Sequence, residues 1–203
     1  MNAIIIGDRF QKRMKSKGCS ALIKCGSKTI IDLQYKYIKK YFPKSKIVYI
    51  SGFDSKKFSI YVNSRKDKYK DLTIVNNDNY LEYNYVYSLS LAHDYMDDDS
   101  LIFFGDTIFS NNTLKKLNHN NGSQILLQKT KNDLGCIIND GLVKNIAYDL
   151  DNHLSNIYYV STQDTKILKQ IISGSTIYQN CFLFEIINLL IENDIAFKPL
   201  FIG

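Results

Sequence analysis

Short unbroken apolar runs alternate along this chain with stretches in which apolar residues recur at helical spacing. Residues 2–6, 46–50, 72–75 and 101–104 are runs too short for helices and rich in Ile, Leu, Val and Phe, so they read as buried strands. Between the first two, Ile30, Leu33, Tyr37, Ile38 and Tyr41 fall on one helical face. Thr29, with Asp32 three residues later, has capping-box spacing, so a helix is predicted up to Phe42. A second helix is predicted over residues 80–95, with Tyr83, Val86, Tyr87, Leu89, Ser90 and Leu91 on its inner side. This βαβ rhythm, with right-handed crossovers, places the strands in one mostly parallel sheet.

After residue 106 the texture changes. Residues 111–119 read as a short helix, and 123–128 and 135–139 alternate as strands. Asn139-Asp140-Gly141 is a turn signal leading into 142–150, which predicts a small antiparallel portion over the end of the sheet. A strand over 155–161, helices over 162–172 and 178–192, and a last strand over 195–202 complete the pattern. No repeat, low-complexity segment or Pro/Gly/Ser-rich linker divides it, so residues 1–203 read as a single domain.

Composition narrows the classes. The chain is 45% hydrophobic and 13% aromatic, enough to bury one core. Cys19, Cys25, Cys136 and Cys181 form no C-x-x-C pair and the three histidines stand apart, which argues against zinc and against a disulfide framework. The opening residues lack the pattern of a signal peptide and nowhere do eighteen apolar residues run together, so a soluble, cytoplasmic protein without membrane insertion is expected. The net charge of +6 is unevenly spread: residues 1–70 hold 18 Lys/Arg against 4 Asp/Glu, leaving the remainder acidic. Such a field attracts phosphates, although Lys36, Lys39 and Lys40 suit a solvated helix face.

Two stretches carry candidate chemistry. In residues 101–107, four apolar residues run into Gly105-Asp106-Thr107, a strand delivering one carboxylate to the edge where open α/β sheets bind ligands. The loop after the first strand, residues 7–18, is dense in cations, where such a protein holds a polyphosphate. Other features have plainer readings. Asp97-Asp98-Asp99 reads as a solvated turn, His93, His119 and His153 have no ligand spacing, Cys19 reads as packing, and the tyrosines of 80–95 read as core.

These residues, in this order, resemble the nucleoside-diphosphate-sugar pyrophosphorylase and phosphocholine cytidylyltransferase family. Ile4-Ile5-Ile6-Gly7, Arg13-Met14, Ala21-Leu22-Ile23 and the 26–31 segment follow the family's first strand, phosphate loop and turn into the first helix. Tyr80, Asn84 and Tyr87-Ser88-Leu89 are similar to its base- and sugar-side segment, Gly105-Asp106 to its metal-binding Asp, and the 139–146 stretch to its Asp-Gly hairpin. The resemblance implies an α/β, Rossmann-like fold of glycosyltransferase-A type. It implies transfer of a nucleoside monophosphate from a nucleoside triphosphate to a sugar-1-phosphate or similar small phosphorylated substrate, with release of pyrophosphate. Asp106 would be the catalytic Mg²⁺ ligand, with Arg13 catalytic beside Arg9 and Lys12 on the β- and γ-phosphates. Gly7, Asn84, Ser88 and Gly105 would complete the nucleotide site.

Three departures qualify this expectation. Arg9, Phe10 and Gln11 stand where the family loop has glycines, Cys19-Ser20 where it has Pro-Lys, and Gly203 falls about where it continues into a second metal-binding carboxylate. A catalytically impaired relative that binds a nucleotide or a partner without turnover is therefore the alternative. A nucleic-acid binder ranks below both, because the lysines follow no recognition motif.

Overall fold

The computed structural model describes residues 1–9 and 18–202. In chain order the elements are β1 (Asn2–Ile6), a small hairpin of β2 (Lys24–Cys25) and β3 (Lys28–Thr29), α1 (Ile30–Tyr41), β4 (Lys46–Ser51), α2 (Ser55–Asn63) and β5 (Leu72–Asn76). There follow α3 (Tyr85–Ser90), β6 (Ser100–Phe104), β7 (Gln124–Gln128), β8 (Leu134–Asn139), β9 (Leu142–Tyr148), β10 (Leu154–Val160), α4 (Thr162–Gly174), α5 (Leu183–Glu192) and β11 (Lys198–Ile202).

Seven strands form one sheet in the order β11-β7-β10-β6-β1-β4-β5. β1 lies parallel to both β4 and β6, β4 to β5, and β11 to β7, whereas β10 runs antiparallel between β6 and β7. The sheet is thus mostly parallel, as the sequence pattern predicts. Strand alternation sorts its side chains onto two faces. Ala3, Ile5, Ile47, Tyr49, Leu101 and Phe103 pack with Ile31 and Ile38 of α1 and Phe58 of α2, while Ile4, Ile6, Val48, Ile50 and Ile102 pack with α3, α4 and α5. The β8–β9 hairpin is a separate two-stranded sheet. α5 holds it there: Asn188 donates to the Ile146 carbonyl and accepts from the Ile146 amide, both at 2.8 Å.

Several predicted elements change. The helix expected over 80–95 is confined to α3, followed by a 3-10 turn at His93–Tyr95. Its first residues are turn instead, because the Tyr80 and Tyr83 carbonyls accept from Arg9 and the Asn84 amide donates to the Gln179 carbonyl. The segment 111–119 holds only 3-10 turns, at Leu114–Lys116 and from His119 onward. The β2–β3 hairpin and α2 have no counterpart in the expected elements. Asp99 is no solvated turn: it accepts from the amide and hydroxyl of Thr162 and from Tyr159, tying the start of β6 to the start of α4. Among the described residues no helix is long and apolar enough to cross a membrane.

Candidate active site

The adjacent strands β1 and β6 end side by side, with Ile6 opposite Phe104, and each continues into a glycine. The Gly105 amide donates to the Ile6 carbonyl at 2.8 Å and the Gly7 amide to the Ile50 carbonyl at 3.0 Å. The backbones approach so closely that a Cβ on Gly105 would lie 2.8 Å from the Gly7 Cα. These two glycines therefore form the floor of a pocket of about 230 Å³, whose walls include Arg9, Ser20, Tyr85, Asp106, Thr107 and Asn156. Of the residues expected at the site, Gly7, Arg9, Gly105 and Asp106 line this one pocket.

The Asp106 loop is fastened from beneath by a residue that the sequence pattern does not single out. Gln34, fully buried on α1, donates to the carbonyls of Phe104 at 3.3 Å, Gly105 at 3.2 Å and Thr107 at 2.8 Å. A lone glutamine on an apolar helix face was the available signal. Asp8 is a second such residue. Its side chain turns away from the pocket, fully buried, and accepts from Asn77 at 2.5 Å and from the Ser88 hydroxyl at 2.6 Å. Burial raises its pKa above the usual carboxylate value, and the bonds from Ser88 and Asn77 only partly oppose that shift.

Arg9 is placed differently from a free phosphate clamp. Nη1 donates to the Tyr80 carbonyl at 2.8 Å, and Nη2 donates to the Tyr83 carbonyl and, at 3.1 Å, to Asn84 Oδ1. The guanidinium also lies 5.2 Å from the Tyr85 ring centroid. It thereby joins the first loop to the segment before α3 while one edge lines the pocket. Asn84 caps α3, accepting from the Tyr85 amide at 2.9 Å. Ser88 is fully buried against Asp8, behind the loop. Lys12 and Arg13 lie outside the described residues, as do Phe10 and Gln11. Cys19 is buried, and burial pushes its thiol pKa up, which fits packing and not a reactive thiolate.

Beside the pocket lies a second recess of about 220 Å³, sharing Tyr85, Phe104 and Asn156 with it. Its walls are aromatic: Tyr85 and Phe104 have ring centroids 4.7 Å apart, Tyr148 and Phe184 5.6 Å, and Phe182 and Phe184 6.0 Å, with Asp133 among the lining residues. Tyr148 and Phe182 are 55% and 42% exposed, so their faces are open to a ligand. The expectation that the 80–95 tyrosines are core is met only in part: Tyr85 and Tyr95 pack against the core half-buried, Tyr80, Tyr83 and Tyr87 belong to neither core cluster, and Tyr85 also walls both cavities. These aromatic residues come from four segments distant in sequence, so periodicity does not bring them together.

Among the described residues no group of three or more His, Cys, Asp or Glu could hold a metal ion by protein ligands alone. That donor set still fits magnesium, which takes one or two carboxylates and otherwise keeps substrate phosphates and water. Asp106, on the wall of the pocket, supplies a hard oxygen donor of that kind.

No protein-family model matches the chain. It is 31% identical over 188 residues to the choline-phosphate cytidylyltransferase of Haemophilus influenzae, a match spanning 87% of this chain and 76% of that protein. The fold is similar to that of the CTP:phosphocholine cytidylyltransferase from Streptococcus pneumoniae, with a TM-score of 0.82 at 18% identity over 100% of this chain and 90% of that one. It is also similar to the inositol-1-phosphate CTP transferase from T. maritima, with a TM-score of 0.76 at 13% identity over 98% and 84%.

Proposed function

The chain belongs to the choline-phosphate cytidylyltransferase family, nucleotidyltransferases that act on phosphorylated substrates, and from that premise we propose that it transfers a cytidylyl group from CTP to phosphocholine. In this reaction an oxygen of the acceptor phosphate attacks the α-phosphorus, a new P–O–P linkage forms, and the bond to the β-phosphate breaks. The electron pair leaves with pyrophosphate.

The observation that carries the reading is the aromatic recess against the Asp106 pocket. A quaternary ammonium is held best by aromatic faces, and the Asp133 carboxylate adds a complementary charge. A sugar would call for polar side chains around its hydroxyls, whereas here aromatic rings make up about half of the lining beside Asn132, Asp133 and Asn156. With the ammonium in the recess, the acceptor phosphate reaches toward Asp106.

The protein's work is positioning and charge compensation, which supply most of the acceleration in phosphoryl chemistry. Gly7 and Gly105 let the ends of β1 and β6 close on each other over Tyr49, which sets the floor on which the triphosphate would lie. Asp106, supported by Gln34 through the carbonyls on either side of it, would hold magnesium. When bound, that ion neutralises charge on the reacting phosphates. Lys12 and Arg13 take the β- and γ-phosphates in this proposal, with Arg9, Asn84 and Ser88 shaping the nucleoside side. The reduced cysteines fit a cytoplasmic setting.

The test is pyrophosphate release from CTP and phosphocholine with Mg²⁺, alongside thermal stabilisation by CTP with and without the metal. Asp106→Asn should lower kcat by at least about 100-fold and abolish the metal-dependent part of the stabilisation. Stabilisation without any pyrophosphate would point instead to a nucleotide binder. A wild type that responds to no nucleotide would overturn the proposal.

A further inference from the structure

Asn156 has an unusual backbone for a residue within a strand. Its φ is +58°, in the left-handed region, and it lies in the part of β10 where the register with β7 shifts between Leu154 and Tyr158. A bulge of this kind re-aims a side chain, and glycine adopts the conformation freely. Asparagine tolerates it at some cost. A position that needed only the bend would be served by glycine.

The side chain has two further properties. It lines both the Asp106 pocket and the aromatic recess, so it stands at their seam. Its Oδ1 is buried without a hydrogen-bond partner. A buried polar atom without a partner is rare and calls for an explanation, and strained residues with such atoms concentrate where ligands bind.

We propose that the Asn156 carboxamide hydrogen-bonds the phosphate of the acceptor and so makes this site select a phosphorylated acceptor over the free alcohol. The proposal rests on the reading above, in which the acceptor's cationic end occupies the recess and its phosphate faces Asp106. A ligand so placed crosses the seam with its phosphate beside Asn156. Phosphate oxygens accept, so the amide NH₂ is the group that bonds them, while Oδ1 stays within the wall. A neutral donor orients the phosphate without drawing off the negative charge that the attacking oxygen needs.

Calorimetric titration of phosphocholine and of choline into the full-length protein, saturated with a non-hydrolysable CTP analogue and Mg²⁺, tests this. Asn156→Gly tolerates the left-handed backbone and removes the side chain, carboxamide and methylene together. It should weaken phosphocholine binding about tenfold or more, leave choline binding unchanged, and leave Tm unchanged or raised. Asn156→Asp, which sets a carboxylate against the phosphate, should weaken phosphocholine binding further. Equal phosphocholine affinities for wild type and Asn156→Gly would overturn the role of Asn156 while leaving the cytidylyltransferase reading intact. Parallel losses for choline and phosphocholine would also overturn it, since they would mean a deformed recess. A wild type that binds neither ligand would remove the acceptor reading and this proposal with it.

Discussion

At Gly7 one methyl group would arrive 1.9 Å from the Tyr49 hydroxyl and 2.1 Å from its Cζ. Tyr49 cannot yield, because it is fully buried and its ring is stacked on Phe58 at 3.9 Å between centroids. We expect Gly7→Ala to cost about 1–3 kcal/mol by overpacking, a Tm loss of several degrees by calorimetry. Gly174→Ala, where an added Cβ meets nothing within 4 Å, serves as the control and should be neutral or stabilising. A Gly7→Ala protein with wild-type Tm would mean that the strand ends are looser than the contacts imply. Gly7, Gly105 and Asp106 could be placed at one sheet edge from the sequence because each follows a short buried apolar run within a βαβ rhythm, although Gly-Asp after a strand more often only caps a turn. Asp8, Gln34 and Asn156 could not, because what distinguishes them is burial, partners 69 to 80 residues away in sequence, or a backbone angle. None of these leaves a periodic trace.

Among the elements, α1 shows how far local chemistry reaches. The capping box read from Thr29 and Asp32 is present, with the Thr29 amide donating to Asp32 Oδ2 at 2.9 Å. The same carboxylate also accepts from Tyr61 at 3.0 Å, from Tyr69 at 2.6 Å and from Lys68, so the cap of α1 anchors α2 and the loop before β5. Burial opposes ionisation of Asp32, but the bonds from Lys68, Tyr69 and Thr29 outweigh it and hold its pKa below the usual carboxylate range. The folded pKa is depressed, so this stabilisation is complete above the unfolded value near 3.8 and is lost as pH falls from there through the folded pKa. Asp32→Asn should therefore cost about 2 kcal/mol at neutral pH. The Tm gap to wild type should stay level from pH 7 to about pH 4 and narrow only in stronger acid. A gap that already closes near pH 6 would assign the effect to another group. The β8–β9 turn was equally legible, since Asp140 and Gly141 take the positive φ of +50° and +73° that Asn-Asp-Gly foretells. By contrast α2 buries only Phe58 and Val62 while Ile60 is 69% exposed, which blurs its helical stripe. α3 was drawn too long because the tyrosines before it sit at helical spacing although Arg9 takes their carbonyls.

For the whole molecule, the division of charge and the two cavities make one argument. Residues 1–70 carry 18 Lys/Arg against 4 Asp/Glu, whereas the aromatic recess draws its walls from the acidic remainder. In the proposed reaction the basic part of the sequence is complementary in charge to the nucleotide, and the acidic part to the cationic end of the acceptor. Long-range attraction of this kind raises encounter rates and is screened by salt over about a Debye length, roughly 10 Å at 0.1 M. It should act on CTP far more than on phosphocholine, whose ammonium offsets about half of the phosphate charge. Between about 50 and about 500 mM KCl, at fixed free Mg²⁺, we expect kcat/KM for CTP to fall about three- to tenfold, and kcat/KM for phosphocholine to change by less than about twofold. A merely solvated set of lysines would leave both constants flat, and general destabilisation by salt would lower both together. Only the divergence of the two substrates would tie the basic third of the chain to the capture of the nucleotide.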